Sequence, residues 1–336
     1  MNSFRVLVFL FCVWSGMNPS YAADGPLVIA HRGASGYLPE HTLAAKAFAY
    51  AQGAGAIEQD VVLTKDQVPI ILHDVTLESV TDVEEKFANR KRDDGHYYAF
   101  DFTLKEIRQL NVNERRDHKT GQAAYPKRFP IGKSRFAVPT LAEEIELIQG
   151  LNHSTGRNVL IYPELKKPAW HRAQGADLTA RVLEVLSAYG YKKRESLIYV
   201  QCFESEELQR LRNEFHCQLK LIYLVSDKQW DSAVNRAGNS AEQEFQHIAT
   251  YADGVGPSLS LILKGVAADG KPELTSFVAQ AHAARLQVHP YTMRVDALPA
   301  GVDSFDQLMQ IFVQDAKVDG MFTDFPDRSL EYIHSR

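Results

Sequence analysis

Eight short runs of β-branched and aliphatic residues recur along this chain, separated by amphipathic stretches with apolar residues three and four apart. The runs cover residues 27–30, 56–62, 159–162, 197–200, 219–225, 253–256, 286–289 and 320–323; helical patterns between them include 42–52, 178–189, 205–215 and 274–284. Strands alternating with helices are what parallel pairing through crossover connections requires. Eight such pairs predict an α/β fold of the TIM (β/α)8 barrel type. With 336 residues, 45% of them hydrophobic, the chain can fill such a core without disulfides.

One interval is too long for a simple crossover. Between the second run and the third lie a further extended run, 68–72, and a charged, aromatic stretch that includes Lys91-Arg92-Asp93-Asp94-Gly95-His96-Tyr97-Tyr98. A helix is expected near 103–110, and Thr140-Leu141-Ala142-Glu143 has the spacing of a capping box. The expectation is a small insertion subdomain, about residues 76–138, between strand 2 and helix 2, with Phe100, Phe102, Tyr125, Phe129 and Phe136 arguing against a disordered loop.

The first 22 residues differ from the rest. Arg5 precedes the apolar run Val6 to Trp14, and Ser20-Tyr21-Ala22 supplies small residues for cleavage. That run is shorter than the roughly 20 residues that cross a bilayer, so residues 1–22 are expected to be a cleaved signal peptide and 23–336 the mature periplasmic domain. Phe11 and Val13-Trp14 flank Cys12 without the small residues a lipid-attachment site needs, so no stable membrane anchor is expected. Cys202 and Cys217 are expected as free thiols. Removing Arg5 from the 37 basic residues leaves 36 against 42 acidic ones, a net of −6. Such a balance argues against nucleic acid as a partner, so affinity for an anionic substrate must be local; a homodimer is compatible with the sequence.

In a barrel of this kind chemistry sits at the C-terminal ends of strands. The first run ends in His31-Arg32-Gly33, the second carries Glu58-Gln59-Asp60, the extra run ends in His73-Asp74, the third leads to Glu164-Leu165-Lys166 and the fourth to Gln201. Polar groups so costly to bury do not end five consecutive apolar runs by chance. Glu58 and Asp60, two apart on a strand, share a face directed into the barrel, and Glu164 comes from the next strand. Three hard oxygen donors describe a Mg2+ or Ca2+ site better than a Zn2+ or Cu2+ site. His31 and His73 could serve as acid and base in a phosphodiester hydrolysis, with Arg32 and Lys166 on the phosphate oxygens. Tyr291, after the seventh run, and Phe325, after the eighth, are candidate walls for the organic part of the substrate. The other histidines apart from His41 and His289 are expected to be packed or surface residues.

Taken in order, these segments closely resemble the glycerophosphodiester phosphodiesterase family, in particular its bacterial periplasmic members. The resemblance rests on His31-Arg32-Gly33-Ala34-Ser35-Gly36-Tyr37-Leu38-Pro39-Glu40-His41-Thr42, Glu58-Gln59-Asp60, Leu72-His73-Asp74, Tyr162-Pro163-Glu164-Leu165-Lys166, Gln201-Cys202-Phe203, Val288-His289-Pro290-Tyr291-Thr292 and Phe322-Thr323-Asp324-Phe325-Pro326. It implies hydrolysis of soluble glycerophosphodiesters, such as glycerophosphocholine, glycerophosphoethanolamine and glycerophosphoglycerol, to sn-glycerol 3-phosphate and an alcohol. It further implies His31 and His73 as the acid–base pair, Glu58, Asp60 and Glu164 as ligands of one divalent ion, Ca2+ first and Mg2+ second, and Arg32 and Lys166 as phosphate contacts. Gln201, Tyr291 and Phe325 are expected beside the substrate. Many members of the wider family carry Asn where this chain has His41, which leaves the role of that residue open. Two alternatives keep the barrel: a phospholipase D-like or C-like enzyme acting on intact lipids, and a secreted non-catalytic binding protein or adhesin.

Overall fold

The computed structural model describes residues 25–235 and 240–336; the signal peptide expected over residues 1–22, Cys12 included, lies outside them. Eight parallel strands form the sheet: β1 (Leu27–Ala30), β2 (Ala56–Leu63), β3 (Leu160–Leu165), β4 (Tyr199–Cys202), β5 (Lys220–Val225), β6 (Gly254–Pro257), β7 (Gln287–Val288) and β8 (Gly320–Thr323). Neighbours pair in chain order, and β1 also pairs with β8 in parallel register, Leu27 against Gly320. The remaining seam lies between β7 and β8. Asp319 N–H donates to the Val288 carbonyl and Phe322 N–H to that of Pro290, each at 3.0 Å, so the barrel is nearly closed.

Alternation along the strands separates two cores. Ile57 and Val61 of β2, Ile161 and Leu165 of β3, and Leu221 and Tyr223 of β5 pack outward under the helices. Residues of the opposite parity fill the interior, where Ile29, Ala56, Tyr162, Tyr199, Ile222 and Phe322 form an apolar plug. Tyr162 stacks on Tyr199 with 5.1 Å between ring centroids, and its hydroxyl meets His289 Nδ1 at 2.8 Å. Moving two residues along β1, β2, β3, β4 and β8 from that plug reaches His31, Glu58, Glu164, Gln201 and Asp324. The polar site is therefore the layer directly above the plug.

β3 and β4 extend to Leu165 and Cys202, beyond the expected 159–162 and 197–200, because pairing continues through polar residues that interrupt the hydrophobic signal. A short strand, Pro69–Ile71, runs antiparallel to the end of β2. From there to the helix Leu141–Thr155, the chain makes short helices at Val83–Lys86 and Leu104–Ile107 around a separate apolar cluster that includes Val75, Leu77, Tyr97, Phe102 and Val112. Thr140 starts the long helix with a reciprocal capping box, its hydroxyl taking Glu143 N–H at 3.2 Å while Glu143 Oε2 takes Thr140 N–H at 2.8 Å. Cys202 and Cys217 are both free thiols.

Candidate active site

Glu58, Asp60 and Glu164 are buried above the plug, with one oxygen from each lying within 4.8 Å of the others. Each is held from outside. Gln201 Nε2 donates to Glu58 Oε1 at 2.9 Å, and the Arg32 backbone N–H donates to Glu58 Oε2 at 2.8 Å. Arg32 has φ 58°, a left-handed conformation uncommon for a residue with a side chain, and this turn brings its N–H to the carboxylate. Lys166 Nζ lies 2.8 Å from Glu164 Oε1 and 3.9 Å from Asp60 Oδ1.

Asp60 Oδ2 is bonded to His41 Nε2 at 2.7 Å, while Lys46 Nζ sits 3.2 Å from His41 Nδ1. An ammonium only donates, so Nδ1 accepts and Nε2 carries the proton given to Asp60. Burial first, then the Lys46 charge, lowers His41 to about 3, keeping it neutral in that role. Lys46 is fully buried and also donates to the Glu58 carbonyl.

Three buried carboxylates with these partners are not neutralised. Burial first, then repulsion from Asp60, pushes Glu58 up to about 8, and burial raises Glu164 well above the carboxylate range. Burial also opposes charge on Asp60, but Lys166 and His41 hold it well below its ordinary value. Asp60 Oδ1 and Gln201 Oε1 are buried without hydrogen-bond partners among the described residues. A hard divalent cation among these oxygens would satisfy both the charge and the orphaned acceptor, so the donor set fits Ca2+ or Mg2+.

Two histidines complete the layer. His31 Nδ1 meets Asp324 Oδ1 at 2.5 Å, leaving Nε2 3.9 Å from Glu58 Oε2. His73 Nδ1 meets Asp74 Oδ1 at 2.8 Å. Burial, followed by the Arg32 charge, lowers both to about 4, so both are neutral near pH 7 before an anion enters.

His31, Arg32, Glu58, Asp60, His73, Glu164, Gln201 and Tyr291 all line one cleft of about 590 Å³. Lys166 lies against Glu164 and borders a smaller neighbouring cavity with His73. Phe325 departs from its expected place as a substrate wall: its ring packs on Tyr37, 5.3 Å between centroids, where a side chain on Gly36 would otherwise stand. Phe203 takes the wall position instead, edge-to-face with Tyr291 at 5.7 Å. Gln201 is a partner of Glu58 as well as a cleft residue. His289 is absorbed by the plug.

Sequence reading assigns no role to Asp324, Lys46 or the arginines Arg115, Arg128 and Arg294. Two of these left a signal. Lys46 interrupts the buried stripe Ala45, Ala49, Tyr50 of the helix Leu43–Ala51, and Asp324 has the inward parity of Phe322.

The chain is similar to known proteins over nearly its whole length. Residues 31–328 match the model of the Glycerophosphoryl diester phosphodiesterase family. A glycerophosphodiester phosphodiesterase of Haemophilus influenzae is 39% identical, covering 95% of this chain and 93% of its own; one of Treponema pallidum is 34% identical, covering 96% and 97%. The fold is shared with a crystal structure from Silicibacter pomeroyi (TM-score 0.69, 24% identity, covering 93% of this chain and 95% of that one). It is shared too with an Oleispira antarctica phosphodiesterase in complex with the product sn-glycerol-3-phosphate (TM-score 0.62, 22% identity, 93% and 98% covered).

Proposed function

Since the chain belongs to the glycerophosphoryl diester phosphodiesterase family, we propose that it hydrolyses soluble glycerophosphodiesters to sn-glycerol 3-phosphate and an alcohol, using His31 and His73 as acid and base beside one divalent ion. The observation that carries this reading is the convergence of three carboxylates and two histidine–aspartate pairs on a single cleft. The ion would be held by Glu58, Asp60 and Glu164. Ca2+ is preferred because Mg2+ usually engages only one or two carboxylates and keeps its waters. When bound it supplies Lewis-acid stabilisation of negative charge on the phosphate oxygens.

The chain's own groups do the rest. Arg32 and Lys166 bring fixed positive charge to the phosphate. One imidazole takes the proton of the attacking hydroxyl at Nε2; the other, protonated once the anionic substrate raises its affinity for H+, returns a proton to the leaving oxygen. The aspartates on both Nδ1 atoms hold Nε2 towards the cleft. Phe203 and Tyr291 enclose the organic part of the substrate.

Head-group diesters are favoured over intact lipids. The large hydrophobic side chains exposed among the described residues, Leu43 and Phe48, lie on an outer helix and neither lines the cleft. The leader pattern of residues 1–22 supports a periplasmic address, which cell fractionation would check. The substrate assignment is tested by sn-glycerol 3-phosphate release from glycerophosphocholine, glycerophosphoethanolamine and glycerophosphoglycerol against phosphatidylcholine vesicles. Faster turnover on the vesicles would reverse it.

A further inference from the structure

The loop region after the helix Leu104–Ile107 sends two arginines back to the barrel. We propose that Arg115 and Arg128 are positioning residues for the two histidines, each fixing the carboxylate that fixes one imidazole, so that the insertion is a working part of the catalytic centre. The proposal rests on the acid–base reading of His31 and His73.

The contacts form two parallel relays. Asp324 Oδ1 accepts from His31 Nδ1, and its Oδ2 accepts from an Arg128 terminal nitrogen and from Arg294 Nε, both at 2.7 Å. Asp74 Oδ1 accepts from His73 Nδ1, and its Oδ2 accepts from Arg115 at 2.7 Å. A carboxylate tied at one oxygen can pivot; one tied at both cannot. With the pivot removed, Nδ1–H stays the donor and Nε2 stays directed at the reacting atoms.

Both arginines are themselves braced. Arg128, only 5% exposed, lies over the Tyr125 ring at 3.6 Å and forks onto Asp296 at 2.8 and 3.0 Å. Arg115 forks onto Glu40 at 2.9 and 2.7 Å, and Glu40 also takes Arg32 at 3.0 Å. The two arms meet around a cavity of about 190 Å³ that His31, His73 and Asp324 also line.

The test compares two substrates: glycerophosphocholine, whose alkoxide leaving group needs a proton, and glycerol 3-phosphate p-nitrophenyl ester, whose phenolate does not. Arg128→Met should lower kcat about 10- to 100-fold with little change in KM, and Arg115→Met likewise. Each should share the leaving-group preference of its own histidine, Arg128 with His31→Ala and Arg115 with His73→Ala. Arg108→Met, on an exposed pair with Glu143 elsewhere in the insertion, should stay near wild type. If a Met variant melts early, the Lys variant, which keeps charge and bulk but loses the fork, is read by the same criterion. Folded variants that keep wild-type kcat, or whose relative loss on the two substrates differs from that of their own histidine's Ala variant, overturn the proposal. Normal turnover in His31→Ala and His73→Ala would instead remove the acid–base reading beneath it.

Discussion

At the scale of single residues, the site is a set of buried charges each fixed by a second group. His31→Ala and His73→Ala should each lower kcat by roughly 10²- to 10⁴-fold while the melting temperature stays near wild type, as steady-state kinetics and calorimetry can check. His41 makes a sharper case, because its task is to donate one proton to Asp60 while accepting from Lys46. His41→Asn keeps both a donor and an acceptor and should preserve metal affinity; His41→Leu keeps neither and should weaken it about 10- to 100-fold in a calorimetric titration. The five inward residues His31, Glu58, Asp60, Glu164 and His73 were legible because each sits on or ends an extended run. The pairing of Asp324 and Arg128 was not, since Asp324 lies 293 positions from His31 and Arg128 lies 196 from Asp324, and no local pattern reports such contacts.

At the scale of elements, period-two alternation made the barrel readable, and its failures have a physical cause. β3 and β4 were cut short where Pro163, Glu164 and Gln201 replace aliphatic residues, although the strands go on pairing there. Phe325 escapes the pattern because an aromatic after a strand end can face the cleft or the neighbouring loop, and here Gly36 makes room for it in the loop. The turn after β1 is the most demanding local structure. Gly33 has φ 87°, and a Cβ there would stand 2.8 Å from the Ala45 backbone carbonyl carbon. Gly33→Ala should therefore cost about 1–3 kcal/mol in urea unfolding, and because Arg32 N–H holds Glu58, it should also weaken metal binding.

At the scale of the whole molecule, burying histidines gives the fold a defined acid limit. His31, His73 and His289 are held at about 4, burial being the foremost cause in each. The unfolded chain protonates near 6.5, so as pH falls through that value the unfolded state binds protons first, and stability present at pH 7 is withdrawn between about 6.5 and 4. For His289, packed between Tyr162 and Tyr199, that is on the order of 3 kcal/mol. The urea midpoint should fall over this window, and His289→Gln should flatten the fall. Arg115 and Arg128 of the insertion line one cavity with His31, His73 and Asp324, so the proposed metal, acid and base would act as a single unit. The most direct test of that unit is sn-glycerol 3-phosphate release from glycerophosphocholine by chelator-treated protein as Ca2+ or Mg2+ is titrated back. Turnover should vanish without the ion and recover fully at one ion per chain, with Glu58→Gln failing to recover; undiminished turnover in the metal-free protein would contradict a metal-dependent site.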